Sequence, residues 1–419
     1  MARQRRAGQT VEDAAPDAER AAEAGMIAEP PAEGWDGPRA VRYTMPLKLA
    51  APDNDLADPD LPYWLALNRV RGIGPARFRL LLDAFGTAEA AWCGTVAGWQ
   101  AAGLDTRTAT AFERQRHTIV PEAELERLDK LRVWALRITD LRYPRLLREI
   151  ALPPALLYVR GTLLPDDDWA VAIVGTRRAT TYGRHVTDRL AGELARQRVT
   201  VVSGLARGID MHAHTAALDA SGRTIAVLGC GPDLVYPPEN ARLAARIVEA
   251  GAVVTEFAPG TQPDAGNFPA RNRLISGLSL GVVVTEAPEA SGALITTRFA
   301  AEQGRDVFAV PGNIYNRSSI GTNRLIQDGA KLVQDVNDVL AELNLHLVPQ
   351  QLELRELLPE NETEAALLAL LEAGGEARHV DELRRLSGLA VASVSGTLVM
   401  MELKGMVRLV GPMTYARER

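Results

Sequence analysis

The chain has 419 residues, of which 47% are hydrophobic and 24% charged, enough for roughly two to four globular domains. No apolar run reaches the ~18 residues a membrane span requires, and no apolar region follows the basic start Met1-Ala-Arg-Gln-Arg-Arg, so neither a membrane protein nor a secretory leader is expected. Cys93 and Cys230 alone make no disulfide framework and fit a reducing, cytoplasmic compartment. The net charge of −6 is unevenly spread: residues 1–60 hold seven basic against twelve acidic residues, leaving 40 against 41 for the remainder. A nearly neutral body can still carry a local basic patch, so binding to nucleic acid is permitted by composition without being indicated by it.

Residues 1–60 are rich in Ala, Glu, Pro and Asp with no sustained apolar period, and read as a disordered tail that the rest of the chain does not need. Residues 61–138 turn helical, with Tyr63, Trp64, Leu67 and Val70 on one helix and Phe78, Leu81, Leu82 and Phe85 on the next. Between them Arg71-Gly72-Ile73-Gly74-Pro75 resembles the turn of a helix-hairpin-helix, whose N–H groups bind a DNA phosphate; a packing or dimer module fits it equally well.

The centre, residues 139–345, alternates short β-branched runs with amphipathic helices. The runs are Ala170–Val174, Val199–Val202, Thr224–Leu228, Ala252–Thr255, Val282–Thr285 and Val307–Val310. Their continuous apolar character suits strands buried on both faces, so the expected core is an extended Rossmann-like, doubly wound, mostly parallel α/β sheet. A polar linker over 346–361 leads to 362–419, where three helices and a hairpin predict a small winged-helix domain. Its third helix, Val391–Leu403, has so few basic residues that packing or contact with protein is favoured over duplex DNA.

Several chemistries are excluded by motif. There is no Gly-Lys pair, hence no P-loop. The first central strand ends in Gly175-Thr-Arg-Arg-Ala-Thr-Thr-Tyr-Gly183, which lacks the spacing of a dinucleotide site, and Gly229-Cys-Gly231 alone is weak. Gly277-Leu-Ser279-Leu-Gly281 has the letters of a nucleophile elbow, but a strand follows the serine instead of preceding it. Asp210-Met-His212-Ala-His214 at a helix start reads as a capping Asp and two structural or surface histidines, because residues two apart face different ways. No catalytic residue, cofactor or metal is expected.

What remains is a set of Gly- and Arg-bearing turns at strand ends: Gly175, Thr176 and Arg177; Ser203, Gly204, Arg207 and Gly208; Arg271, Asn272 and Arg273; Ser291 and Gly292. Glycines let backbone N–H groups approach an anion and arginines add bidentate donors, so the turns read as a phosphate site at the carboxyl edge of the sheet.

These strings resemble the DNA-processing protein A family (DprA, also called Smf). The resemblance is carried by Val171-Ala-Ile-Val-Gly-Thr-Arg177, Val202-Ser-Gly-Leu-Ala-Arg-Gly-Ile-Asp-Met-His-Ala-His214 and Phe268-Pro-Ala-Arg-Asn-Arg-Leu-Ile-Ser-Gly-Leu-Ser279. Ser291-Gly-Ala-Leu-Ile-Thr296, Ala309-Val-Pro-Gly312 and Gly321-Thr-Asn-Arg-Leu-Ile-Gln-Asp-Gly-Ala330 add to it. It implies a core that binds and protects single-stranded DNA, forms a homodimer and loads the RecA recombinase during natural transformation and recombination, without covalent chemistry. It also implies that Arg177 and Arg207 hold phosphates; the family usually has Ser where Thr176 stands and often Lys where Arg207 stands, and both changes keep the chemistry. With aromatics at 5%, base stacking should be limited and binding indifferent to sequence. The alternative is a Rossmann-like nucleotide-phosphate hydrolase, although Glu286-Ala-Pro-Glu-Ala-Ser-Gly292 lacks the Pro-Gly-Gly-x-Gly-Thr turn of such enzymes. An adaptor that has lost ligand binding is a third reading.

Overall fold

The computed structural model describes residues 41–42, 58–345, 361–374, 377–403 and 406–417. They fall into two units divided between Leu343 and Asn344. The first unit is built on strands β1 (Val41–Arg42), β2 (Trp134–Arg137), β3 (Leu156–Gly161), β4 (Ala170–Gly175), β5 (Thr200–Ser203) and β6 (Thr224–Val227). It continues with β7 (Leu234–Val235), β8 (Ala252–Thr255), β9 (Gly281–Glu286), β10 (Asp306–Ala309) and β11 (Lys331–Leu332). Nine of them form one sheet in the order β11-β10-β9-β4-β5-β6-β8-β3-β2. From β11 to β8 neighbours pair in parallel, and β8–β3 and β3–β2 pair antiparallel.

All six β-branched runs are therefore strands. Every residue of β5, β6, β8 and β9 is buried, as expected where helices cover both faces. Two expectations change. Trp134–Arg137, read as the end of the helical stretch, is strand β2, with Trp134 opposite Val159 and Arg137 opposite Leu156. Within the stretch read as a tail, Val41 and Arg42 pair antiparallel with Val235 and Leu234; the rest of residues 1–57, like the linker residues 346–360, lies outside the described residues.

The helical module runs from Leu61–Arg69 to Pro121–Leu131 around Trp64, Phe78, Trp99 and Phe112, the last two stacked at 4.0 Å. Its Gly-x-Gly turn is clamped from outside: Arg71 N–H donates to Gln115 Oε1 and Gln115 Nε2 donates back to the Arg71 carbonyl. Gly72 supplies the positive φ, +96°, that the turn needs.

Ser279 sits between the helix Asn267–Gly277 and β9, buried, with Oγ donating to the Ile275 carbonyl, so the elbow motif carries no nucleophile. The two histidines of the 210–214 string part company as expected. His212 pairs with Asp188, while His214 is fully buried on the helix Ile209–Asp219.

The second unit has helices Glu362–Gly374, Val380–Ser387 and Val391–Leu403, with a small sheet β12 (Arg378–His379), β14 (Thr414–Arg417), β13 (Val407–Gly411). Leu367, Leu371, Leu383, Val394, Leu398, Met401 and Tyr415 form its core. This is the expected winged helix. Its third helix exposes Val391, Val399 and Met400 and contains no Lys or Arg, which suits a protein surface better than a phosphate backbone.

His214 yields a pH prediction. Thr224 Oγ1 donates to the Val201 carbonyl, so it must accept from His214 Nδ1–H at 2.7 Å, which leaves Nε2 bare and buried. Burial, helped by the charge of Arg271, lowers the imidazole pKa from 6.5 to about 3. The unfolded chain thus takes up a proton that the folded chain refuses, and this contribution to stability, full above pH 6.5, is lost as pH falls from 6.5 towards 3. Unfolding measured across that range should show His214→Asn losing about one proton's worth of acid dependence relative to the wild type; parallel pH profiles would contradict the assignment.

Candidate nucleic-acid interface

Two turns at the carboxyl edge of the sheet are pressed together. After β4, Thr176 N–H donates to the Glu286 carbonyl, and its hydroxyl accepts the Arg178 N–H. Ile209 N–H donates to the Thr176 carbonyl from the neighbouring turn. A side chain at Gly175 would meet Ile209 Cγ1 at 2.6 Å, and Gly208, at φ +75°, has no room for one against the Thr176 and Arg177 backbone. Thr176 is thereby buried, and Arg177 and Arg178 are left exposed.

The second turn, after β5, is held by buried polar side chains. Ser203 Oγ donates to the Ile173 carbonyl at 2.6 Å. Asp210 Oδ2 accepts the N–H groups of Gly204 and Ala206 at 3.1 and 3.3 Å. Asn240 Nδ2 donates to the Leu205 carbonyl, which fixes Leu205 in the left-handed region at φ +57°. Arg271 donates to the carbonyls of Gly204 and Val227. Burial raises the Asp210 carboxyl pKa and lowers that of Arg271 to about 10, so the guanidinium still carries its charge near neutrality.

Between the turns lies a pocket lined by Arg177, Gly204, Ala206, Arg207, Tyr236, Pro237, Phe268 and Arg271. The Phe268 ring has the guanidinium of Arg177 at 5.8 Å and that of Arg271 at 5.9 Å, with the Tyr236 ring at 5.5 Å. Arg207 pairs with Glu239, both about half exposed, and that hydrogen bond is the main cause of the lowered Glu239 pKa. Arg177 is exposed and makes no ion pair with any described carboxylate, so its charge is open to an incoming anion.

The residues expected from sequence thus separate. Arg177, Gly204, Arg207 and Arg271 share the pocket, and Gly175, Thr176, Ser203 and Gly208 shape the turns behind it. Phe268–Arg273 lies on the helix Asn267–Gly277 and not in a turn, because the two glycine-bearing turns already close the sheet edge and this helix packs down on them. Arg273 is committed to Glu256 and to the Leu152 carbonyl. Asn272 reaches the Gly292 carbonyl at 3.3 Å, and Ser291 Oγ accepts the Ala293 N–H; Ser291 lines a separate pocket with Arg298 and Arg324. Sequence reasoning overlooked Tyr236, Pro237 and Phe268. A Tyr-Pro step after the third central strand and an aromatic opening the Arg-Asn-Arg segment were the available signals.

The switch point of the sheet, where chain order reverses between β4 and β9, is the usual nucleotide crevice of such folds. Here it is filled from within. Glu286 is 1% exposed, and its Oε2 accepts the N–H of Thr180, the N-cap of the helix Thr181–Arg196. Gly183 follows in that first turn, and any side chain there would collide with the same carboxylate. A protein carboxylate therefore already stands at the positive end of this helix. Among the described residues no three His, Cys, Asp or Glu side chains cluster as a metal site, and no helix is long and apolar enough to cross a membrane.

The family profile described as DNA recombination-mediator protein A matches residues 134–344. A DprA winged-helix profile matches 353–411, and a DprA-like N-terminal HHH profile matches 59–93. Protein Smf of Synechocystis sp. is 35% identical over 397 residues, covering 86% of this chain and 100% of that one. The DNA processing protein DprA of Streptococcus pneumoniae is 48% identical over 205 residues, 49% of this chain and 72% of its relative. The X-ray structure of DprA from S. pneumoniae superposes with a TM-score of 0.60 at 37% identity, covering 67% of this chain and 97% of that chain. The chain belongs to the DprA/Smf family of DNA-processing recombination mediators.

Proposed function

We propose that the pocket between the two turns binds single-stranded DNA and that the protein acts in the cytoplasm without covalent chemistry, protecting the strand and delivering it to the RecA recombinase. The observation that carries this reading is the company Arg177 keeps: an exposed guanidinium that forms no ion pair with any described carboxylate, lining one pocket with Arg207, Tyr236, Pro237 and Phe268. Arginines take phosphates, and an aromatic floor takes bases that are not already paired, so one site suits a single strand better than a duplex. Base contact then contributes more than the low aromatic content suggested. The RecA step rests on family resemblance.

The hydrolase alternative fits less well. A mononucleotide at the switch point would set its phosphate against the buried Glu286 side chain, which already takes the N–H of Thr180, the N-cap of the helix Thr181–Arg196. For the homodimer, the segment between β10 and β11 supplies support, since it exposes Ile314, Tyr315 and Ile320, and the edge strand β11 that follows exposes Leu332. A second copy of the chain is the occupant proposed for that surface. Light scattering at micromolar concentration should give twice the 45.3 kDa chain mass, and Tyr315→Glu should reduce it; a wild-type monomer would contradict the dimer.

The phosphate reading is tested on the arginines. A charge-assisted hydrogen bond is worth roughly 1.5–3 kcal/mol net, so Arg177→Ala or Arg207→Ala should weaken binding to single-stranded DNA about ten- to hundredfold. Phosphates carry no sequence, so the loss should be similar on every oligonucleotide, and the salt dependence should become shallower by about one phosphate contact. Unchanged affinity and salt slope, with a lower melting temperature for Arg177→Ala, would make these arginines braces and overturn the assignment.

A further inference from the structure

We propose that Arg271 is a positioning residue, acting on DNA through the turn that carries Arg207 and not by touching a phosphate. The inference rests on the reading of the pocket as a DNA site but assigns this arginine a different task from its two neighbours. Arg271 is 4% exposed, against the exposed Arg177 and Arg207. Three of its five N–H donors are engaged within the chain: Nη1 serves the carbonyls of Gly204 and Val227, and Nε reaches Asn272 Oδ1 at 3.2 Å. Val227 closes β6 and Gly204 follows β5, so the guanidinium ties the ends of two strands to the helix Asn267–Gly277.

The contact falls on the peptide where it matters most. Gly204 offers its carbonyl to Arg271 and its N–H to Asp210, so the turn is held from both sides by buried groups of opposite charge. A Cβ on Gly204 would stand 2.7 Å from the Arg271 guanidinium carbon, which is why a glycine begins this turn. Three residues on, Arg207 projects into the pocket. Loss of the Arg271 grip frees the Gly204 carbonyl and lets the turn, with Arg207 on it, leave the geometry that meets the strand.

Two properties separate a positioning arginine from a contacting one. A phosphate contact is largely rescued by lysine, which keeps the charge, whereas the planar fork fitted to backbone carbonyls is not. A residue acting through Arg207 also shows non-additivity with it, while an independent contact adds. Binding to a fluorescent oligo-dT is measured well below the melting temperature for the full-length Arg207→Ala, Arg271→Met, Arg271→Lys and Arg207→Ala/Arg271→Met proteins. The expected result is that Arg271→Met and Arg271→Lys lose affinity about tenfold and to within threefold of one another, and that the double variant is no weaker than Arg207→Ala by more than about threefold. Retention of wild-type affinity by Arg271→Lys, additive losses in the double variant, or no loss in a folded Arg271→Met protein each overturns the proposal. Should Arg271→Met not fold, Gly204→Ala disturbs the same grip from the other side: a matching loss supports the proposal and wild-type affinity contradicts it. If Arg207→Ala alone binds as the wild type does, it is the DNA reading of the pocket that fails.

Discussion

Gly204 is pinned between two buried side chains, its N–H on Asp210 and its carbonyl on Arg271. Burying such groups costs several kcal/mol each unless their hydrogen bonds are made, and here backbone groups of the turn make them. The same bonds that offset desolvation therefore define the shape of the turn. Its neighbour after β4 inherits that shape, because Ile209 N–H and the cramped Gly208 lock it to the Thr176 carbonyl. A turn fixed in the free protein has little conformational freedom left to lose when a ligand arrives, and the pocket arginines are presented already in place.

The sheet bears on where the proposed ligand site lies relative to the usual crevice. In doubly wound folds the switch point is open and a helix N-terminus points at it. Here Glu286 takes that position, one oxygen on the Thr180 N–H. The guanidinium groups of Arg177 and Arg207 stand instead beyond the carboxyl ends of β4 and β5, on side chains and not at a helix end. On the proposed reading, two exposed arginines beside the rings of Tyr236 and Phe268 suit a polymer that runs across the pocket, where a closed crevice would suit a single nucleotide.

Much of this was legible in the sequence. The six β-branched runs announced their strands because residues buried on both faces admit few substitutes for Val, Ile and Ala. The antiparallel strands β2 and β3 escaped notice: Trp134–Arg137 closely follows a helix whose apolar spacing it continues, and Leu156–Gly161 carries a buried arginine, Arg160, that disguises a core strand. The two-residue strands β1, β7 and β11 are too short to leave any period. Arg177 and Arg207 could be found because glycines flank them in turns, where chain geometry and chemistry coincide. Arg271 looked like a third member of the set, since sequence shows that a residue is charged but not whether its charge faces solvent or backbone carbonyls. Tyr236 and Phe268 come from separate elements, and only the fold places them together.

On the proposed reading, this surface takes an unpaired polymer in preference to a nucleotide or a duplex. A competition experiment tests it most directly: the protein bound to a labelled single-stranded oligonucleotide is challenged, at one fixed salt concentration, with unlabelled single strand, the corresponding duplex, and mononucleotides at equal phosphate concentration. The single strand should displace the label, the duplex should do so far less effectively, and mononucleotides should fail. Displacement by a mononucleotide at concentrations comparable to those of the strand would contradict it.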